Sequence, residues 1–294
     1  MKSHSTPFLA PPAKFRDFNC AKIVIVPFPY EGGISYGAGA SDAPHAILQA
    51  SSQLEFYDEV LGAEPLEVGI ATVEAPRIPS DPEGMIETME KTIRDLLKQD
   101  KFVVMMGGDH SISSGHSRAL KERYGSLGVI QLDAHADLRE IYDGSPLSHA
   151  CVMARIREIT PYTLQIGIRS ISTEEARRVH QEKLSLCTMH QWRTGMFNLK
   201  DALKCLPEKV FITVDVDVFD WSVIAQTGTP EPGGFLWDEA LSILRSIFDT
   251  KEVVGFDVVE LSYREGDLNG PFAAAKLIYK MIGFKFAGQL TRIF

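Results

Sequence analysis

Three clusters of aspartate and histidine, each directly after an apolar strand-like run, constrain this chain more than any other feature. They are Gly107-Gly108-Asp109-His110, Asp133-Ala134-His135-Ala136-Asp137 and Asp215-Val216-Asp217. The runs before them (102–106, 127–132 and 210–214) are rich in Val, Ile, Leu and Met, and such runs read as buried parallel strands. Ionised carboxylates at the end of a buried strand are unfavourable unless a cation pairs with them. With two histidines among the aspartates, the cation that suits the set is a metal ion.

The remaining pattern supports that setting. Strand-like runs are expected at 22–27, 66–70, 102–106, 127–132, 163–167, 210–216 and 253–259. Helical patterns are expected at 81–98, 114–123, 173–180, 236–248 and 271–282. Strands that alternate with helices imply right-handed crossovers and a parallel sheet covered on both faces, an α/β fold. No repeat, low-complexity tract or linker divides the chain, so an irregular arm at 1–20 and a single domain at 21–294 are expected. In such folds ligands bind beyond the carboxyl ends of the strands, where all three clusters fall. The Gly- and Pro-rich segment 227–234 follows the third cluster and is expected to shape a pocket rim.

Composition excludes several classes. No stretch approaches the ~18 consecutive apolar residues of a membrane span. Residues 1–14 are polar and proline-punctuated and lack the apolar core of a signal peptide, so a cytoplasmic protein is expected. Cys20, Cys151, Cys187 and Cys205 are scattered, as reduced thiols are, rather than paired as a disulfide framework or zinc site. A net charge of -9 argues against nucleic acid and is compatible with cationic ligands.

An extended backbone would direct Asp133, His135 and Asp137 to one side, and Asp215 with Asp217 likewise. Either cluster alone would also suit a magnesium site for phosphoryl transfer or a solvated strand end. Together with His110 they supply four aspartates and two histidines, too many for one magnesium. A shared two-metal site accounts for them economically. Four carboxylates and two divalent ions balance in charge, and a bridging hydroxide would leave the centre near −1, suiting a singly charged cationic substrate group. The oxygen-rich, thiol-free donor set favours manganese over zinc. Two metals would lower the pKa of a shared water from ~15.7 to near neutrality. Glu260 and His149 also stand near expected strand ends. His45, His116, His180 and His190 have no acidic companions in sequence.

These motifs, in this order, resemble the ureohydrolases (arginase and agmatinase), over about residues 30–284. The resemblance implies a three-layer α/β/α domain with an eight-stranded, mostly parallel sheet, assembled as a homo-oligomer, commonly a trimer or hexamer. It implies two Mn²⁺ per chain. One would be held by His110, Asp133, Asp137 and Asp215, the other by His135 and Asp217, with Asp133 and Asp215 bridging. Glu260 matches the family's guanidinium-binding glutamate, and His149 its proton-shuttling histidine. The segment Thr229-Pro230-Glu231-Pro232-Gly233-Gly234 is similar to the agmatinase branch, and no counterpart of the loop that holds the arginine α-carboxylate is found. The implied substrate is a small cationic guanidino compound, first agmatine, yielding putrescine and urea.

Ser148-His149-Ala150-Cys151-Val152-Met153 resembles a prokaryotic subgroup in which some members act on N1-aminopropylagmatine, so that substrate stays open. Two rivals also stay open: a metal-binding paralogue without turnover, and amide hydrolysis of the deacetylase type. One stretch departs from the family pattern, since Trp221, Ala225 and Gln226 replace two prolines and a glycine. The stretch 221–226 is expected to line the pocket mouth.

Overall fold

The computed structural model describes residues 2–33 and 35–293. Eight strands form one sheet in the order β2-β1-β3-β8-β7-β4-β5-β6, with every neighbouring pair parallel. They are β1 (Ile23–Phe28), β2 (Ile70–Thr72), β3 (Phe102–Gly107), β4 (Gly128–Leu132), β5 (Thr163–Ile168), β6 (Ser185–Thr188), β7 (Lys209–Asp215) and β8 (Glu252–Val259). In chain order the helices are α1 (Ala13–Arg16), α2 (Ala43–Ser51), α3 (Pro82–Leu97), α4 (Ser113–Tyr124), α5 (Val152–Ile159) and α6 (Thr173–Glu182). They continue with α7 (Met189–Arg193), α8 (Leu199–Lys204), α9 (Trp237–Thr250) and α10 (Asn269–Phe286).

The expected three-layer α/β/α arrangement follows from two separate cores. One face of the sheet packs against α2, α9 and α10 through residues such as Ile47, Leu244 and Ile278. The other packs against α3, α4 and α5 through Met89, Leu120 and Ile156. β-branched and aliphatic side chains fill both faces of the central strands, which is why these strands read as continuous apolar runs. Pro27 interrupts β1 without breaking it. The backbone groups of Ile23 and Ile25 face β2, so the absent N–H of Pro27 also points to that side, beyond the point where β2 pairing ends at Ile25.

Local chemistry sets several boundaries. Pro82 opens α3 behind Asp81, whose side chain accepts from Gly84 N at 2.7 Å. Ser172 and Glu175 form a capping box at the start of α6. The expected strand at 66–70 is instead a 3-10 turn, Pro65–Val68, followed by β2; Pro65 starts the turn and Gly69 ends it at φ 80°. The short edge strand β6 and helices α2 and α5 were not anticipated from the sequence. The arm 1–20 is more ordered than expected: Ser3 pairs antiparallel with Val73, and Phe8 and Leu9 are buried. This cover blunts the exposed β2 edge.

Lys280 on α10 is buried and reaches Asp58 at 3.1 Å and Glu59 at 2.7 Å, tying the segment after α2 to the last helix. Asp58 in turn accepts from Val60 N and Leu61 N, both at 3.0 Å. Removing one partner of such a pair leaves a buried uncompensated charge. Lys280→Ala should therefore lower unfolding stability by about 3–5 kcal/mol in urea titration, with the Asp58→Asn/Lys280→Met double substitution losing less. A loss below about 1 kcal/mol for Lys280→Ala would contradict this role for the pair.

Candidate metal centre

The central strands β3, β8, β7 and β4 are neighbours, and their carboxyl ends deliver the acid and histidine clusters to one place. His110 begins a 3-10 turn after β3. Gly108 allows that approach, because a Cβ there would lie 1.7 Å from the Tyr30 carbonyl oxygen. Asp215 is the last residue of β7, Asp217 lies in the 3-10 turn Val216–Val218, and Glu260 follows β8 directly. His149 opens the turn before α5.

The convergence differs from the extended-backbone expectation. β4 ends at Leu132, and the chain bends so that Asp137 adopts a left-handed φ of 53°. Asp133 and Asp137 thereby turn toward His110, while His135 turns toward Asp217. The Asp215–Asp217 pair is likewise set by a 3-10 turn rather than by strand alternation. Glu260 is also left-handed, at φ 64°. Such backbone in a non-glycine residue is sparsely populated and clusters at functional sites.

Two groups of donors overlap. His110, Asp133 and Asp137 have ligand atoms within 4.8 Å of one another, and so do Asp133, His135 and Asp217. Asp133 belongs to both. Nδ1 of His110 lies 3.1 Å from Asp133 Oδ2, 3.3 Å from Asp137 Oδ2 and 3.4 Å from Asp215 Oδ2. It is aligned for a hydrogen bond with none of them, and it is buried. His135 Nδ1 lies 2.8 Å from Asp217 Oδ2. A ring nitrogen aimed at three carboxylate oxygens fits a cation between them. The nitrogen and oxygen donor set fits a divalent transition metal.

Charge points the same way. Burial, with repulsion from Asp133, pushes the Asp137 carboxyl up to about 7. Burial and neighbouring carboxylates also raise Asp215 and Glu260 well above the usual range. Burial opposes charge on His110 and His135, but the facing aspartates outweigh it, raising His110 well above the histidine range and His135 to about 12. Asp133, between the two histidines, is held below the carboxylate range despite its burial. Without another cation the cluster must gather protons. Bound divalent cations would meet the same demand.

A supporting layer orients these groups, and the sequence reading missed it. Thr213 Oγ1 lies 2.9 Å from His110 Nε2, which leaves Nδ1 facing the carboxylates. Gln131 Nε2 donates to Asp133 Oδ2 at 2.6 Å, and Gln165 Nε2 donates to Gln131 Oε1 at 2.5 Å. The available signal was polar side chains inside otherwise apolar strand runs. Arg169 donates to the backbone oxygens of Asp217, Glu231 and Pro232, pinning the 227–234 loop to the end of β7. Asp109, in the first motif, accepts from Gly32 N and Gly33 N and so holds the loop after β1.

Above the cluster opens a pocket of about 290 Å³ whose lining includes His135, Asp137, His149, Tyr142, Arg139 and Thr229. Glu231 Oε1 lies 3.8 Å from His135 Nε2, which puts Glu231 at the expected rim. Glu260 Oε1 accepts from His110 N at 2.6 Å and stands 3.9 Å from His149 Nδ1. The departing stretch 221–226 does not line this pocket. Ser222 N and Oγ bond the Asp220 carboxylate and fold the stretch into a turn. Trp221 is half exposed, and Gln226 packs against Gly270 at the start of α10.

The family model described as Arginase family matches residues 21–283. An N(1)-aminopropylagmatine ureohydrolase from Synechocystis sp. is 38% identical over 93% of this chain and 92% of its own. An agmatinase from Pyrococcus horikoshii is 32% identical over 91% of this chain and 93% of its own. The crystal structure of the agmatine ureohydrolase of Thermoplasma volcanium superposes with a TM-score of 0.86 at 28% identity, over 97% of this chain and 95% of the other. With the motifs, the eight-stranded parallel sheet and the paired histidine–carboxylate groups, the match over most of the chain makes this protein a member of the arginase family.

Proposed function

We propose that this chain is a binuclear manganese hydrolase that cleaves a guanidino group to urea and an amine, with agmatine, giving putrescine, as substrate. The observation that carries the reading is the sharing of Asp133 by two histidine–carboxylate groups beneath one pocket. In this reading His110, Asp133, Asp137 and Asp215 would hold one ion. His135 and Asp217 would hold the other, with Asp133 and Asp215 common to both. When bound, the two ions would polarise the substrate and supply an acidified water as nucleophile.

The chain's own residues do the rest. The Glu260 carboxylate accepts one backbone N–H and keeps lone pairs for two parallel N–H groups of a guanidinium. Burial lowers the His149 pKa to about 4, and cations held by the neighbouring cluster would act in the same direction, so its imidazole is neutral at physiological pH. A neutral ring can take the proton released on attack and deliver it to the amine, which leaves only when protonated. Glu231 at the rim suits a distal ammonium. We take residues 21–294 as the catalytic unit, working in the cytoplasm as a homo-oligomer of three or six copies. The free thiols are compatible with that compartment, and no described helix is long and apolar enough to cross a membrane.

The name of the Synechocystis relative favours a second reading, in which the amine carries an aminopropyl extension and the substrate is N1-aminopropylagmatine.

Two measurements test these readings. Chelation should abolish urea release and manganese should restore it, with metal analysis giving two ions per chain at saturation. One ion at saturation rejects the binuclear reading. Specificity constants across agmatine, N1-aminopropylagmatine, arginine, guanidinobutyrate and guanidine should be highest for agmatine. A higher value for the aminopropyl compound selects the second reading, and a preference for arginine or guanidinobutyrate refutes both.

A further inference from the structure

His149 is half-buried, and among the described residues no hydrogen bond fixes its ring. Its Nε2 has no hydrogen-bond partner among the described residues, and its Nδ1 is 3.9 Å from Glu260 Oε1. An aromatic ring stands against it. Tyr142 meets it edge-on, with centroids 6.0 Å apart and planes at 88°, a favoured aromatic geometry. The Arg139 guanidinium lies 5.3 Å from the Tyr142 ring centroid. That distance is within cation–π range of the ring.

A short piece of sequence builds this arrangement. Tyr142 and Ser145 exchange two backbone hydrogen bonds, each 3.0 Å. Between them Asp143 and Gly144 take φ of 49° and 78°, the signature of a type I′ turn, which Asp-Gly favours. The turn is tied onward to the histidine segment: Leu147 N donates to Ser145 Oγ at 3.1 Å, and Ser148 Oγ donates to Gly33 O at 3.3 Å. Arg139 N donates to Ala150 O at 3.3 Å, closing the loop on itself.

We propose that Tyr142, seated by the Asp143-Gly144 turn and backed by Arg139, is the positioning residue that sets the rotamer of His149. The proposal rests on the reading of His149 as proton carrier, and deepens it. His149→Asn alone should lower kcat by roughly 10²–10⁴-fold. Tyr142→Ala should lower kcat about three- to tenfold, the scale of a lost edge-to-face pair, with KM and manganese content unchanged. Tyr142→Phe, which keeps the ring, should behave as wild type. In the His149→Asn background Tyr142→Ala should have no further effect; an equal loss in both backgrounds overturns the proposal. Tyr142→Leu keeps apolar bulk should the alanine variant fold poorly, and wild-type kcat in that protein also overturns it. Crystal structures separate this claim from the functional reading. In Tyr142→Ala, His149 should occupy a second rotamer whether or not the protein releases urea. An unmoved His149 ring in Tyr142→Ala refutes the positioning role, whereas a moved ring in that variant together with a wild type that releases no urea refutes only the function.

Discussion

The interaction on which the rest of this structure depends is the repulsion among buried carboxylates at the ends of the four central strands. Asp109, Asp133, Asp137, Asp215, Asp217 and Glu260 are all nearly inaccessible to water. An isolated buried carboxylate is strongly unfavourable, and the interior ordinarily answers by protonation or pairing. Asp109 is satisfied by backbone amides of the 32–33 loop. The others face inward around His110 and His135. Their arrangement suits a cation, and Asp133 belongs to both of the donor groups that could hold one.

Holding such a cluster requires support from behind. The two buried glutamines, Gln131 and Gln165, run as a chain from Asp133 to the backbone oxygen of Ala136. Thr213 fixes the His110 ring from the side opposite the carboxylates. Arg169 crosses from the end of β5 to hold the rim loop by its carbonyls, so the rim bearing Glu231 is anchored through backbone rather than through its own side chain. These contacts are made by residues on the strands or directly after them, whose positions the sheet register dictates. That is why a donor set drawn from distant parts of the chain can be held to ångström tolerances.

Much of this was legible in the sequence. The strands that carry the site are apolar runs ending in acids, and periodicity finds them readily. The motif residues themselves converge as the spacing suggests, but by another route: the Asp137 backbone and the Val216–Val218 turn bring them together, not strand alternation. Left-handed backbone at an aspartate leaves no mark in a residue pattern. The edge strand β6 is short and half-buried, so it lacks the apolar run that betrays its neighbours. The contacts of Thr213, Gln131 and Arg169 depend on three-dimensional register, which a single sequence does not carry. The stretch 221–226 differs from expectation for a related reason: proximity to the end of β7 suggests the pocket mouth, while the Asp220-capped turn carries it toward α10.

In the proposed reading the overlapping histidine–carboxylate groups form a pair of cation sites that share Asp133. Anomalous scattering at the manganese absorption edge, from crystals of manganese-loaded protein, tests it directly. Two peaks are expected, one against His110 and Asp137 and the other against His135 and Asp217, both in contact with Asp133. A single peak, or two peaks with no ligand in common, would contradict it.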